Sequence, residues 1–509
     1  MTRLVRIRVG GCPRVLLTGH GRHADRAGSR WAGARAGLRR LGIVVVGGGL
    51  LATPSLAAGP TTVRGAWTAG HNLHVARMLA PAVSLSDGRV FVTGGFGYPG
   101  MLATTEIYEP TRGNWVTAAP LVSPRFGHTA TLLPDGRVLI AGGANLTAQY
   151  LSTAEVYDPP TNSWAIAAPM NEARAFGTAT LLPDGQVLVA GGRNGSAAGV
   201  VATAELYDPQ TGAWTQAASM RVARYHFAAT LMNNGQVLVE GGENARDQEL
   251  TAAEVYDPGT NTWSSVGSMH MVRANQTATP LADGRVLVVG GGDKAPGFTA
   301  DAETYSPATG GWSVVARVPD ARGYATATRL TDGRVLVAGG FGNTGDLAST
   351  EIFDPRTNTW TPAGPLATPR GEASAARLPN GRVVVAGGQR YASGAFLATS
   401  EVFDPTATIH ILLSGLAVSP TTVHGQGPVT LTYRASSSGS TSIRIERSTT
   451  VGAFTPVGQP LVHHDAAGVN RVSVKLARPG HPALPGVYEL VLRRPTGPPA
   501  TVDFTLARK

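Results

Sequence analysis

Two residue types that pair with each other and also bind charged ligands recur together along this chain. Arginine stands at seven nearly equally spaced positions, and a glutamate follows each arginine after 29 to 31 residues. A guanidinium group offers a planar fork of donors that suits carboxylates and phosphates, so these arginines can bind an acidic ligand or pair with the glutamates. The arginines are Arg77, Arg125, Arg174, Arg224, Arg273, Arg322 and Arg370, and the glutamates are Glu106, Glu155, Glu205, Glu254, Glu303, Glu351 and Glu401.

A second group of polar side chains follows the fourth arginine. Tyr225 and His226 form an adjacent pair, and imidazole is the commonest protein ligand for metals. Patterns typical of nucleophilic, zinc-dependent or phosphate-binding enzymes are absent from the sequence. Four carboxylates come shortly after the pair, and we interpret them as solvated loop charge. They are Glu240, Glu243, Asp247 and Glu249.

A repeated unit must position these side chains. Between residues 63 and 405 the sequence repeats every 48 to 50 residues, and the units share a Gly-Gly pair, an aromatic residue and a tryptophan. An Asp-Gly or Asn-Gly dipeptide between two apolar runs predicts a tight hairpin, and the Pro-containing segment before each tryptophan predicts another turn. Each unit therefore reads as four short antiparallel strands, with the recurrent Tyr and Trp side chains in the core.

Length varies in only one part of the unit, the interval between Gly-Gly and the next glutamate. Since strands alternate in direction, these variable loops share one face with the connections between units, and such loops commonly carry binding residues. The predicted ligand-binding residues are therefore the seven arginines and four aromatic residues of these loops. The aromatic residues are Tyr98, Tyr150, Phe341 and Tyr391.

The glutamates leave a structural role open for the arginines. Arginine begins the first strand of a unit and glutamate begins the third, so the two stand about 10 Å apart. The Gly-Gly pair ends the strand between them and presents no side chain. Each arginine can then reach the glutamate of its own unit, which would give seven partly buried ion pairs.

The period, the Gly-Gly pair and the later Tyr and Trp resemble the kelch repeat, and seven sets of these residues are present. The resemblance implies an all-β fold, a seven-bladed β-propeller over residues 58–408. In kelch domains that bind acidic peptides, arginines at this kind of position line the pocket. The last unit has His410 where a tryptophan is expected, so we predict that the N-terminal segment with Trp67 supplies the outer strand of the last blade.

Tyr225-His226 also resembles a copper-binding pair of the galactose-oxidase family, which combines a seven-bladed kelch propeller with a β-sandwich. The chain departs from that family in three ways. Its only cysteine is Cys12 in the N-terminal leader, so the thioether-linked tyrosine has no counterpart; no second tyrosine ligand can be assigned; and His463-His464 match no motif of the sandwich. We predict no metal site, no cofactor and no catalytic residue.

The two ends of the chain differ from the repeats. Residues 409–509 hold short alternating runs between Gly, Pro and Ser, which predict a C-terminal β-sandwich resembling immunoglobulin-like domains. Residues 1–57 hold ten arginines and an apolar run that ends in small residues, which predicts a secretion signal. The apolar run is too short and too rich in glycine for a membrane span.

Most of the net charge of +10 lies in that leader, because the remainder has 33 basic and 32 acidic residues. The body therefore offers no basic surface for nucleic acid. We predict a secreted, non-enzymatic recognition protein that binds a protein or carbohydrate ligand on the variable-loop face. The alternative is a carbohydrate-active enzyme of the galactose-oxidase-like type.

Overall fold

The computed structural model describes residues 61–507 except for a set of short segments, and it describes side chains between residues 65 and 407. The predicted secretion signal, residues 1–57, lies outside the described residues. The short segments outside the description are 146–148, 197–198, 293–296, 412, 420–421, 425–428, 436–438, 451–452, 457–460, 466–467, 475–485 and 494–499.

Seven four-stranded antiparallel sheets, the blades, form a β-propeller, which confirms the predicted all-β seven-bladed fold. The first strand of each blade lies innermost, because the first strands of neighbouring blades contact one another. Strand β1 (Thr61–Ala69) precedes the blades in sequence and belongs to blade 7.

The strands of blades 1 to 4 follow, each blade from its inner to its outer strand. Blade 1 has β2 (Ala82–Ser84), β3 (Val90–Thr93), β4 (Thr105–Glu109) and β5 (Asn114–Ala118). Blade 2 has β6 (Thr129–Leu132), β7 (Val138–Ala141), β8 (Ala154–Asp158) and β9 (Ser163–Ala167). Blade 3 has β10 (Thr178–Leu181), β11 (Val187–Ala190), β12 (Ala204–Asp208) and β13 (Ala213–Ala217). Blade 4 has β14 (Ala228–Leu231), β15 (Val237–Glu240), β16 (Ala253–Asp257) and β17 (Thr262–Ser265).

Blades 6 and 7 each carry a small extra hairpin in the variable loop. Blade 5 has β18 (Thr277–Pro280), β19 (Val286–Val289), β20 (Ala302–Ser306) and β21 (Gly311–Val315). Blade 6 has β22 (Thr326–Arg329), β23 (Val335–Ala338), β26 (Thr350–Asp354) and β27 (Thr359–Pro362), with the hairpin β24 (Phe341–Gly342) and β25 (Gly345–Asp346). Blade 7 has β28 (Ser374–Arg377), β29 (Val383–Ala386), β32 (Ser400–Ile411) and β1, with the hairpin β30 (Gln389–Arg390) and β31 (Ala395–Phe396).

The core lies between blades. The second strand of every blade is buried along its whole length, because both of its faces pack on side chains of the propeller. Tyr157 and Trp164 show how the recurrent aromatic residues contribute: their ring centroids are 5.0 Å apart, and Phe91 of blade 1 packs 4.9 Å from Tyr157. The indole Nε1 of Trp164 also donates to the carbonyl oxygen of Ala119 at 2.7 Å, which ties blade 2 to the connection before it. The Tyr and Trp series therefore pack blade against blade, as the sequence indicated.

The ring is closed by strands from both ends of the repeat region. Strand β1 pairs antiparallel with β32, and Trp67 stands opposite Phe403 just as Trp164 stands opposite Tyr157 in blade 2. The rings of Trp67 and Phe403 are 5.1 Å apart. Gly65 makes a bulge between the two halves of this pairing, with φ of 89°, and a Cβ there would collide with the Phe403 ring.

Beyond blade 7 the described backbone consists of nine strands in two sheets. One sheet has the order β33-β35-β39, and the other has the order β34-β41-β40-β36-β37 with β38 also paired to β36. No helix that could cross a membrane occurs among the described residues. The strands are β33 (Leu413–Ser419), β34 (Thr422–His424), β35 (Val429–Ala435), β36 (Gly439–Thr450), β37 (Ala453–Pro456), β38 (Leu461–Asp465), β39 (Gly468–Val474), β40 (Gly486–Arg493) and β41 (Ala500–Ala507).

Candidate functional site

The seven arginines are buried side chains with at most 2% of their surface exposed. In six blades the guanidinium Nη2 lies 2.6 to 2.9 Å from a carboxylate oxygen of the glutamate in the same blade. The Nη1 group donates to the first carbonyl of Gly-Gly, as Arg125 does to Gly142 at 2.9 Å. The Gly-Gly pair therefore supplies an acceptor as well as room for the side chain.

The paired glutamates, like the arginines, have several hydrogen-bond partners. Glu155 receives backbone N–H groups from Val122 at 2.7 Å and Ser123 at 3.3 Å in addition to Arg125. This is the arrangement of buried structural ion pairs, one of the two roles that the spacing left open. Ligand binding by the arginines stays a prediction. Because the seven guanidinium groups are buried, they are not exposed at the opening around the propeller axis, which we call the axial opening.

Blade 6 differs from the other blades in the bonds of its arginine and its glutamate. Pro319 takes the position whose N–H binds the glutamate in other blades, and a proline has no N–H to give. Arg322 donates to Ser349 Oγ at 3.0 Å and lies 3.7 Å from Asp320, while no ion pair among the described residues joins it to Glu351. Burial raises the pKa of Glu351 to about 7, and its Oε2 has no hydrogen-bond partner in the described part of the chain.

The axial opening is lined by residues that lie two positions after each arginine, which we call the axial ring. All seven have φ between 52° and 62°, a left-handed conformation that side-chain-bearing residues rarely adopt. Six of the seven steps between neighbours are backbone hydrogen bonds of 2.8 to 3.2 Å from one ring member to the carbonyl of another. The ring members are Leu79, Gly127, Phe176, His226, Asn275, Tyr324 and Glu372.

The axial ring accounts for the left-handed backbone at these positions. It also gives the axial opening an apolar side and a polar side. Backbone hydrogen bonds around the axis hold the left-handed residues in place, and such strained positions are common at functional sites. Leu79 and Phe176 are apolar, whereas His226, Asn275 and Glu372 are polar. The ring was not predicted from the sequence, although one position per unit, two residues after the recurrent arginine, holds a different residue type each time.

Aromatic side chains continue from the axial ring onto the variable loops. One series of ring contacts runs through His226, Phe176, Phe126, Phe96, Phe396 and Tyr98, with centroid distances of 4.8 to 5.9 Å. A second series runs through Phe298, Tyr324, Phe341 and Tyr391, with distances of 5.5 to 6.4 Å. We call the loop members of both series the aromatic rim: Phe96, Tyr98, Phe298, Phe341, Tyr391 and Phe396.

The structure brings the four predicted aromatic residues to this face, with different exposure. Tyr98 is 77% exposed and Tyr391 is 41% exposed, so both can contact a ligand. Phe341 is buried between Tyr324 and Tyr391 and supports them. Tyr150 is half-buried and packs on Phe126 and its neighbours in a small apolar cluster.

Two clamps fix the loops that carry the rim. Asn343 of blade 6 accepts the Phe298 N–H at 2.8 Å and donates to the Phe298 carbonyl at 2.9 Å. Asp346 of the same hairpin accepts the Tyr391 N–H of blade 7 at 2.9 Å. Loops of blades 5, 6 and 7 are therefore joined side by side, which preorganises the rim before any ligand arrives.

The environment of Tyr225 and His226 does not suit the copper site of the galactose-oxidase family. The Tyr225 hydroxyl donates to Glu243 at 3.0 Å and to Asp247 at 2.8 Å, and Arg193 stacks 4.7 Å from its ring. Burial and these carboxylates raise the pKa of Tyr225, so a phenolate ligand is disfavoured. Among the described residues no three His, Cys, Asp or Glu side chains are placed to hold a metal ion.

The interpretation of the nearby carboxylates as solvated loop charge was wrong for two of them. Glu240 is the last residue of β15 and Glu243 bonds to Tyr225 and His226, and both are fully buried. Both residues flank a Gly-Gly pair, which in sequence is typical of a loop. In the structure these flanking positions lie at the inner end of a blade.

The tight-turn face carries shallow clefts between neighbouring blades. One is lined by Asp87, Arg89, Glu109 and Arg112, which are already engaged in the ion pairs Asp87–Arg89 and Glu109–Arg112. The aromatic rim and the axial ring therefore form the better candidate site.

Fold, repeat pattern and site geometry together define a kelch-repeat β-propeller protein. The KLHDC2/KLHL20/DRC7 Kelch-repeats domain family matches residues 177–388, and the Kelch motif family matches residues 125–171. A search of the curated proteins finds no match.

Solved structures are similar to this chain at low identity. A structure described as a novel fungal alcohol oxidase with catalytic diversity among the AA5 family, in complex with copper, is similar at a TM-score of 0.56 and 19% identity; the match covers 87% of this chain and 99% of that one. The structure of YjhT has a TM-score of 0.46 and 16% identity, covering 58% of this chain and 99% of that one. At 19% identity the likeness to the fungal oxidase shows the fold alone.

Proposed function

We propose that this chain is a secreted, non-enzymatic recognition protein that binds a protein or carbohydrate ligand at the aromatic rim. The observation that carries the proposal is the exposure of Tyr98 and Tyr391, since the loop of Tyr391 is clamped to blade 6 and the Tyr98 ring packs on Phe396 of that same loop. Exposed aromatic rings on rigid loops give large contact area at low entropic cost, which is typical of recognition surfaces. The arginines would act beneath this surface by holding each blade's inner end in shape.

Two further parts of the proposal concern the ends of the chain. Residues 1–57 would direct secretion, and residues 409–509 would form an immunoglobulin-like sandwich that spaces or stabilises the propeller. The strand pairings beyond blade 7 support the second part, since they form two separate sheets.

The test is binding of the purified protein to glycan and peptide arrays, repeated with Tyr98→Ala/Tyr391→Ala. We expect the double substitution to weaken binding at least tenfold, since each aromatic contact contributes on the order of 1 kcal/mol or more. Ile166→Ala is a matched control, because Ile166 is 76% exposed but lies on the outer strand β9. Loss of binding in the control alone, or equal binding by all three proteins, would remove the rim as the site.

A galactose-oxidase-like enzyme is the second candidate, supported by the fold shared with the fungal alcohol oxidase and by the Tyr225-His226 pair. The two carboxylates on the Tyr225 hydroxyl count against it. Metal analysis followed by a peroxide-release assay on sugars and alcohols separates the candidates. Stoichiometric copper with turnover would establish the enzyme and overturn the non-enzymatic proposal.

A further inference from the structure

The inner edges of the seven blade interfaces are built from the same two positions. The last residue of one blade's second strand lies beside the third residue after the arginine of the next blade. Five interfaces fill these positions with apolar residues or glycine: Ala141 with Gly177, Ala190 with Phe227, Val289 with Ala325, Ala338 with Ala373, and Ala386 with Ala80. Between blades 1 and 2 the pair is Thr93 with His128. Between blades 4 and 5 the pair is instead Glu240 with Gln276, so a long acid and a long amide replace small side chains at the same interface.

The Gln276 side chain reaches the backbone of Glu240. The Gln276 amide nitrogen donates to the Glu240 backbone carbonyl at 2.8 Å, which places the amide at the end of β15. Glu240 itself has no exposed surface, and neither of its carboxyl oxygens has a hydrogen-bond partner among the described residues. In the same described part of the chain the amide oxygen of Gln276 is also buried without a partner.

The arginines of the two blades do not supply the missing bonds. Arg224 and Arg273 direct their Nη2 groups at Glu254 and Glu303, both at 2.8 Å. Burial raises the pKa of Glu240 well above its ordinary value, and the two arginines oppose that rise only in part. Burial therefore favours the neutral form of Glu240, which has one O–H donor and one carbonyl acceptor.

Three buried polar atoms without partners at one place are costly, since each has lost its hydrogen bonds to water without a replacement. Buried polar groups in folded proteins nearly always find a partner, and internal water is the usual one when protein atoms do not supply it. A water molecule can accept a hydrogen bond from the acid O–H and can donate hydrogen bonds to the acid carbonyl and to the amide oxygen. The two side chains do not form these bonds with each other.

We propose that the interface between blades 4 and 5 contains an internal water-binding site in which water joins the Glu240 carboxyl to the Gln276 amide oxygen. The site lies directly behind Asn275 of the axial ring, since Gln276 is the next residue. It is independent of the recognition function: the interface needs the water whether or not the rim binds a ligand.

Two measurements on the intact protein test the site. A high-resolution crystal structure should show ordered density between Glu240 and Gln276, and none at the equivalent Ala338 and Ala373. Infrared spectra at about pH 9, well above the ordinary glutamate pKa, should show a protonated carboxyl band that shifts in D₂O and disappears in Glu240→Gln. The same band should persist in Glu351→Gln, a matched change of another buried acid.

Three results would overturn the proposal. These are a dry gap in the crystal structure, a direct hydrogen bond between the two side chains, and an infrared spectrum without a protonated carboxyl. Should Glu240→Gln fail to fold, the crystal structure still decides, and so does the wild-type spectrum at about pH 9, because Glu351 and Glu372, with pKa values of about 7, are ionised there and do not contribute to the band.

Discussion

In six of the seven blades the buried arginine donates to two backbone carbonyls and to a glutamate. Arg125 satisfies the Gly142 carbonyl at the end of the second strand, the Thr153 carbonyl before the third strand and the carboxylate of Glu155. Because Glu155 in turn binds two backbone N–H groups of the incoming connection, one pair fixes the whole inner end of the blade. Buried ion pairs gain little over apolar contacts, but breaking one leaves an unpaired buried charge.

This argument predicts strong coupling between Arg174 and Glu205, which lie 2.9 Å apart. Either change to alanine should lower the free energy of unfolding by about 3–5 kcal/mol. The double substitution should cost clearly less than the sum of the single changes, as measured in a denaturant double-mutant cycle. Arg112→Ala, which breaks an exposed pair with Glu109, should cost at most about 1 kcal/mol. Additive effects in the cycle, or intact stability in Arg174→Ala, would instead favour a ligand-binding role.

Pro319 predicts a pH effect at a single carboxyl. The folded pKa of Glu351 is about 7, above its ordinary value of 4.5, so the folded state keeps a proton that the unfolded chain releases. The resulting stabilisation is complete below about pH 4.5 and is lost as pH rises to about 7. Pro319→Ala restores an N–H beside Oε2 and should lower this pKa, which makes the variant relatively more stable at pH 8 than at pH 5.

The measurement is the unfolding free energy of wild type and Pro319→Ala across that range. Any pH-independent difference reflects the entropy that a proline removes from the unfolded chain, about 0.4–1 kcal/mol. In a Glu351→Gln background the pH-dependent part should vanish. A pH-dependent difference that persists there would assign the effect to another group, Asp320 being the nearest acid.

At the scale of strands, closure of the ring depends on β1. Its Trp67 occupies the place that Trp164 and the other tryptophans take on outer strands, but it is brought there by pairing across more than 330 residues of sequence. The Nε1 of Trp67 also donates to Thr350 Oγ1 of blade 6 at 3.3 Å, so the strand ties blade 7 to blade 6.

Trp67→Ala should therefore destabilise the propeller about as much as Trp164→Ala, by about 3–5 kcal/mol. Thermal unfolding followed by tryptophan fluorescence and circular dichroism measures both. A Trp67→Ala protein that unfolds like wild type would show that blade 7 holds without its outer strand. Trp67→Phe, which keeps a ring against Phe403, should recover most of the loss.

For the whole molecule, buried acids set the pH at which the fold is most stable. Burial raises the pKa of Glu240 well above its ordinary range and the pKa values of Glu351 and Glu372 to about 7, with Gln389 opposing the rise at Glu372. A raised carboxyl pKa stabilises the fold below the ordinary value and loses that effect as pH rises through the folded pKa. All three groups therefore act in the same direction, whereas the buried His128, whose pKa is lowered from 6.5 to about 3, opposes them below about pH 6.5.

We expect the melting temperature to fall between about pH 5 and pH 8, and to keep falling above that if Glu240 ionises. The triple change Glu240→Gln/Glu351→Gln/Glu372→Gln should flatten this decline. Calorimetry over the pH range checks both statements. A melting temperature that rises from pH 5 to pH 8 in wild type would contradict the assigned directions.

The sequence by itself determined the blades, since what defines a blade is local. Asp-Gly hairpins, buried four-residue runs and constant intervals all lie within one unit of about fifty residues, and seven such units with matching Arg and Glu fix the number of blades. The partners of six of the seven arginines could also be inferred, because the Gly-Gly pair and a glutamate follow each arginine at constant or nearly constant intervals. Exposure could not, and the face that the arginines were expected to line is lined by other residues.

The tertiary structure alone decided the composition of the axial opening. Its ring takes one residue from each of seven units, so no interval in the sequence places Phe176 beside His226 or Glu372 beside Leu79. The same holds for the rim, where Asn343 and Asp346 join loops about 45 residues apart. Contacts of this kind depend on the closure of all seven blades around one axis, and closure is a property of the whole chain.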